Sequence, residues 1–308
     1  MMKKTLSLLR RFPIVVGFVG IVLVFSFLSD RFFTVSNFMN VLRQVSINGI
    51  IAFGMTFVII SGGIDLSVGS IFAFSAVVGA SVIKSTSTFL GILAALGIGA
   101  LMGAFNGVII AKMKLQPFIV TLATMAIARS FTQAFTQGRP VTGFPASFRE
   151  IGRGEIFGIP VPVLIMLGVF VFAWYLLFNT KLGLYTYSIG GNEEATRLSG
   201  VKVDRYKIVI YTISGLLAAL SALILTARLN SAQPIFGEGY ELDAIAAVVL
   251  GGTSLSGGKG SIIGTIFGVM VLGIINNGMN LVIISPFYQQ AVKGAVILLA
   301  VMAERNND

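Results

Sequence analysis

Residues 190–206 read Gly190-Gly191-Asn192-Glu193-Glu194-Ala195-Thr196-Arg197-Leu198-Ser199-Gly200-Val201-Lys202-Val203-Asp204-Arg205-Tyr206, the most densely charged stretch of a chain that is otherwise mostly apolar. It lies between residues 161–178 and 207–226, each apolar and long enough to cross a bilayer. The pattern predicts a polar helical loop, about residues 179–206, slung between two membrane spans.

Composition supports that reading. With 56% hydrophobic and 11% charged residues and a mean hydropathy of +0.93, the chain falls among polytopic membrane proteins rather than soluble domains. The net charge of +10 sits in short connections between apolar runs, as orientation signals do, so the expected partner is the lipid bilayer and not nucleic acid. There is no Cys and no His. Thiol chemistry, disulfides, histidine metal sites and histidine acid/base catalysis are therefore excluded, and no metal, catalytic residue or cofactor is expected in this chain.

Outward from the loop, about ten crossings are expected, at residues 12–28, 45–60, 66–83, 90–110, 118–136, 161–178, 207–226, 244–250, 261–282 and 288–302. Lys3, Lys4, Arg10 and Arg11 precede the first, which lacks a small-residue cleavage site and reads as an uncleaved span with a cytoplasmic basic end. Ten crossings put both termini in the cytoplasm, and Lys and Arg then favour the cytoplasmic connections by roughly two to one. The expectation is one all-α polytopic domain over residues 1–308, with polar outer segments at 137–160 and 228–243. Gly99, Gly103 and Gly107, and again Gly260, Gly264 and Gly268, recur at four-residue spacing, a stripe that admits a second backbone.

Two glycine hinges resemble each other. Gly-Gly-Ile-Asp-Leu-Ser-Val-Gly from Gly62 matches Gly-Gly-Thr-Ser-Leu-Ser-Gly-Gly from Gly251 in five of eight places, either as a trace of duplicated halves or as chance similarity of Gly/Ser-rich turns. The second hinge fails the phosphate-loop spacing, because Thr253 stands at the first glycine position before Gly258-Lys259. ATP is not expected to bind there.

Asp65, Arg129, Asp243 and Lys293 fall within or near spans, where an ionisable group is functional by default unless it snorkels to the interface. Asp65 and Ser67, in the first hinge, either cap the next helix or face a pathway. Asn276, Asn277 and Asn280 offer neutral amides, suited either to an uncharged polyol or to helix–helix hydrogen bonds. These five, Asp65, Ser67, Asn276, Asn277 and Asn280, are the candidate translocation-pathway residues. No chain of carboxylates suggests a proton relay.

Within the opening stretch, Asn192 is placed to cap a short helix with Glu193 and Glu194 in its first turn and Arg197 further on, ending at Gly200. Such a helix makes a rigid charged knob. Glu194-Ala195 with Gly200 and Ile210 resembles the cytoplasmic coupling motif of ABC-importer membrane subunits, Glu-Ala-Ala-x-x-x-Gly-x(9)-Ile-x-Leu-Pro, with departures at Thr196 and at Thr212-Ile213. The segments at 63–70, 190–200, 231–234 and 239–255 extend the resemblance, to the ABC-importer permease branch that moves pentoses, other monosaccharides and a related autoinducer, with residues 231–259 nearest to ribose.

The resemblance implies a permease homodimer, a cytoplasmic tandem ABC ATPase, an extracytoplasmic sugar-binding protein, a monosaccharide cargo and a bacterial cytoplasmic membrane. It also implies that Gly191, Asn192, Glu193, Glu194, Ala195, Thr196, Arg197 and Gly200 meet the ATPase. The departures and the ten spans suit the vitamin-B12-importer arrangement better than the maltose-type one. Polarity and side make 137–160 and 228–243 the candidate docking segments for the binding protein. A self-sufficient secondary carrier or channel is the alternative; a membrane-embedded enzyme needs a catalytic constellation that the sequence does not offer.

Overall fold

The computed structural model describes residues 13–305. The basic flank Lys3, Lys4, Arg10 and Arg11, Phe12 at the edge of the first span, and the last three residues lie outside the described residues. Thirteen helices are described: α1 Pro13–Leu28, α2 Val35–Ile60, α3 Val68–Ser85, α4 Thr88–Lys112, α5 Pro117–Thr136, α6 Ala146–Arg153, α7 Val161–Asn179, α8 Lys181–Gly191, α9 Glu193–Leu198, α10 Val203–Leu229, α11 Tyr240–Leu250, α12 Ile262–Leu281 and α13 Pro286–Arg305. Four two-residue strands, β1 Val141–Thr142, β2 Glu155–Ile156, β3 Ile159–Pro160 and β4 Ser231–Ala232, form two antiparallel pairs, β1 with β4 and β2 with β3.

Seven helices, α2, α3, α4, α5, α7, α10 and α12, are long and apolar enough to cross a membrane. The helix at the first expected span has 16 described residues, and the one at the tenth, α13, carries Lys293, Glu304 and Arg305. The eighth is different in kind. The 11 residues of α11 rise only about 16 Å, half of a hydrocarbon core about 30 Å thick.

Several boundaries move for identifiable reasons. Helix α2 starts ten residues before the apolar run because Thr34 caps it, its hydroxyl accepting from the Asn37 amide at 3.3 Å. The polar residues that follow ride on helical backbone, which an apolar-run criterion cannot see. The polar helical loop expected at 179–206 is helical over most of its length, with α8 and α9 on either side of Asn192. Gly260 precedes α12 and so is not part of a helical stripe.

Two helix pairs are set by glycine. A methyl group at Gly99 or Gly103 on α4 would overlap the α10 backbone at Gly215 or Tyr211, and one at Gly107 would lie 2.6 Å from Ile208 Cα. The stripe therefore seats α4 directly on α10. In the same way Gly264 and Gly268 on α12 abut the backbone of Gly251 and Ala247, seating α12 on α11. Around this core, α2, α3 and α10 are largely buried, whereas α4, α5 and α7 present large apolar side chains outward, among them Phe89, Phe105, Phe131 and Phe172. Those outward faces are what a bilayer would cover.

The two polar segments expected on one side do meet. Val141 pairs with Ala232 and Thr142 with Ser231, and the Asn230 side chain accepts from the Phe144 amide at 2.9 Å. This cap sits at the end of the bundle opposite α9.

Because Gly103 meets backbone, Gly103→Ala should destabilise the protein by about 1–3 kcal/mol through overpacking, whereas Gly97→Ala, with nothing within 4 Å, should be neutral or better. Thermal unfolding in detergent measures both; equal midpoints would contradict the packing.

Candidate functional site

The knob forms as its sequence requires. The Asn192 side chain accepts from the Ala195 amide at 2.9 Å, Glu193 and Glu194 occupy the first turn, and Gly200 follows with φ of +84°, a conformation that favours glycine. Thr196 is buried beneath it. Glu193 accepts from Arg197 Nη2 at 3.1 Å and from Lys207 on α10, while Arg197 Nη1 donates to Asp204 at 2.9 Å. One such surface pair contributes little; four charges in one network fix α9 to the first turns of α10. Burial works to raise the Glu193 pKa, but Lys207 and Arg197 outweigh it and hold the carboxyl below its usual value.

Arg197 is thus engaged within the chain. The face left outward is Glu194, Ala195, Leu198 and Ser199, with Leu198 80% exposed. Sequence reasoning passed over Leu198, whose only signal is an apolar side chain in a run with no apolar partner nearby.

Directly behind the knob, α8 ends against both glycine hinges. A methyl at Gly190 would overlap the Ile60 carbonyl and lie 2.5 Å from the Gly258 amide nitrogen, which itself donates to Ile60 O at 2.8 Å. Gly257 packs on Gly190 and Gly62, and the Tyr187 hydroxyl donates to Gly260 O at 2.7 Å. The hinges that resemble each other in sequence therefore touch, with the end of α8 between them. A side chain at Gly190 or Gly257 would meet backbone here, so α8 and both hinges are in direct backbone contact.

The pathway candidates divide. Asp65 is fully buried and accepts from the Ser67 amide and hydroxyl at 3.0 and 2.6 Å and from Ser214 at 2.9 Å. Ser67 in turn accepts from Asn106, and Asn106 from Thr124, so one polar chain ties α3, α4, α5 and α10 together. Ser67 occupies the N-cap position of α3, but the side chain that reaches its amide is that of Asp65. Asn277 is held by Asn37 in a reciprocal amide pair at 2.9 and 2.8 Å, packing α12 on α2.

Asn276 and Asn280 instead line a cleft of about 350 Å³ in the half of the bundle remote from the knob. Gln44 and Asn48, one turn apart on α2, line it as well. Sequence reasoning missed this pair because its span began at residue 45, although the four-residue amide spacing on α2 repeats that on α12. The structure does not bring Asp65 or Ser67 to this cleft.

The remaining charged candidates are bonded inside the chain. Arg129 donates to the carbonyls of Pro234 and Phe236, both at 2.8 Å, and Lys293 pairs with Asp243 at 2.8 Å.

Residues 37–301 match the family described as the permease component of the branched-chain amino acid transport system. The chain is 53% identical over 292 residues to the ribose import permease protein RbsC of Bacillus subtilis, covering 94% of this chain and 91% of the relative. Its namesake in Escherichia coli K12 is 52% identical over 289 residues, covering 92% and 90%. The L-arabinose transport system permease protein AraH of E. coli K12 is 41% identical over 276 residues, covering 89% and 84%. No solved structure matches.

Since the folded-state pKa of Glu193 is depressed, its contribution to stability is present above the unfolded value and is lost as pH falls through the folded one. Protection of the α9 amides from hydrogen exchange, relative to the unstructured rate at each pH, should therefore be constant from neutrality down to the ordinary glutamate range and fall below it. Glu193→Gln should raise exchange several-fold already at neutral pH, and Glu194→Gln should not. Equal exchange in both variants would contradict the network.

Proposed function

Because the chain belongs to the family of permease components of branched-chain amino acid transport systems, we propose that it is the membrane-spanning subunit of an ATP-driven ABC importer for ribose or a closely related monosaccharide. The observation that carries the cargo assignment is half-identity over more than nine-tenths of the chain to proteins named as ribose import permeases. Relatives named for L-arabinose and D-allose keep the cargo within monosaccharides, despite the amino-acid wording of the family description.

In this reading the subunit resides in the bacterial cytoplasmic membrane with both termini and α9 on the cytoplasmic side. It crosses ten times, the eighth crossing being the half-helix α11 with the irregular residues 233–239 that lead into it from the cap, in an arrangement nearer the vitamin-B12 importer than the maltose-type one. Two copies pair around the pathway. A separate tandem ATPase seats on Glu194, Ala195, Leu198 and Ser199, and its closure moves α8 against the two hinges. The strand-paired cap receives the external sugar-binding protein.

A carrier driven by a proton gradient would need a titratable relay along the path. Among the described residues the buried carboxylates are Asp65 and Asp243, and each is already bonded within the chain. ATP hydrolysis belongs to the partner, so the permease itself contributes the gated pathway and no covalent chemistry.

Copurification from native membranes tests the coupling surface. Glu194→Lys and Leu198→Asp, both at outward positions, should each lose the ATPase from the pull-down and lower uptake at least tenfold while the permease keeps its thermal midpoint. Retention of the ATPase and of uptake in both variants would contradict the assignment.

A further inference from the structure

The cleft lined by Asn276 and Asn280 is equipped for a ligand beyond what packing requires. Asn276 is only 4% exposed, yet its Oδ1 has no hydrogen-bond partner. A buried acceptor without a donor is unfavourable, and Asn276 lines the cleft, where the hydroxyl of a bound molecule can supply one. Four further amides or amide-like positions surround it: Gln44 and Asn48 from α2, Asn280 from α12 and Gln289 from α13, the last donating to Asn280 Oδ1 at 2.9 Å. Each amide carries both donors and an acceptor, the same dual character as a hydroxyl group.

The lining chemistry bears on the ligand class. Lys293 Nζ contacts both carboxylate oxygens of Asp243, at 2.8 and 2.9 Å, so these two lining residues neutralise each other. Arg228 adds one positive charge at the cleft, and the amides, which outnumber it, match hydroxyl groups. A volume of about 350 Å³ stands at the small end of ligand pockets, sized for one sugar ring rather than a chain of them.

We infer that this cleft is a transient binding site for an uncharged polyhydroxylated molecule, with a hydroxyl donating to Asn276 Oδ1 and the amides of Gln44, Asn48 and Asn280 taking the rest. The inference rests on the importer reading and assigns the place where the cargo pauses in the half of the permease remote from the knob. The lining amides hold hydroxyl groups by single neutral hydrogen bonds, which suits a site that must also release its cargo.

The absence of cysteine allows a direct test in the assembled permease–ATPase complex. Gln44→Cys, Asn48→Cys and Asn280→Cys are labelled singly with a small thiol reagent, without the external binding protein so that docking cannot shield them. Saturating ribose should slow labelling several-fold at these positions and leave Phe157→Cys, on the fully exposed β2–β3 turn, unaffected. In the complete reconstituted transporter, Asn276→Leu and Gln44→Leu should each lower ribose uptake about tenfold with the ATPase still copurifying.

Sugar-indifferent labelling at all three positions, with undiminished uptake by Gln44→Leu, would overturn the site. Stronger protection by ribose 5-phosphate than by ribose would overturn the uncharged class. If the unmodified transporter fails to take up ribose, the cargo assignment fails instead, which separates the two outcomes.

Discussion

In hydrocarbon every backbone N–H and C=O must find its partner within the protein, and this chain interrupts its helices at three places that pack against the bundle. Residues 61–67, 230–239 and 251–260 all leave helical geometry. Each is repaired differently. Asp65 accepts from the Ser67 amide and hydroxyl, Arg129 from α5 donates to the carbonyls of Pro234 and Phe236, and the Gly258 amide donates to the Ile60 carbonyl. An arginine or an aspartate inside a span is costly, and here the cost is offset by backbone groups that would otherwise be orphaned. That explains why these residues look functional in a hydropathy reading and yet act first as structural partners.

The same breaks divide the molecule into parts with different mobility. Where α4 lies on α10, glycine brings backbone onto backbone along a whole stripe, and the polar chain from Asp65 to Thr124 adds a cross-tie between four helices. That part is the most closely cross-tied of the bundle. The junction of Gly62, Gly190 and Gly257 also places backbone against backbone, but between loops rather than helices. A rigid knob fixed to α10 by four charges stands on one side of it, and the amide-lined cleft opens on the far side of the bundle. α9 and α8 thus lie in a short run of contacts to both hinges, and the second hinge follows α11, a half-helix of 11 residues.

Much of this was legible in the sequence. The knob could be read residue by residue, because Asn192, Glu193, Glu194 and Gly200 act through local rules of capping and helix ends. The stripe at Gly99, Gly103 and Gly107 announced a close helix contact, although not that α10 would be the partner. What stayed hidden depends on tertiary neighbours. Nothing local to Asn276 and Asn277 says that one opens into a cleft while the other is consumed by Asn37. Arg197 reads as a surface charge until Asp204 and Lys207 are seen beside it. Gln44 and Asn48 were obscured because a helix beginning in polar residues does not look like a membrane span until its cap at Thr34 is known.

The central claim is that this permease is a passive gate moved from outside at one charged helix. It is tested most directly by sugar accumulation in vesicles, with the purified chain alone under imposed ion gradients, and then with its ATPase, external binding protein and ATP. Concentrative uptake only in the complete system is the predicted result. Accumulation by the chain alone would contradict the account.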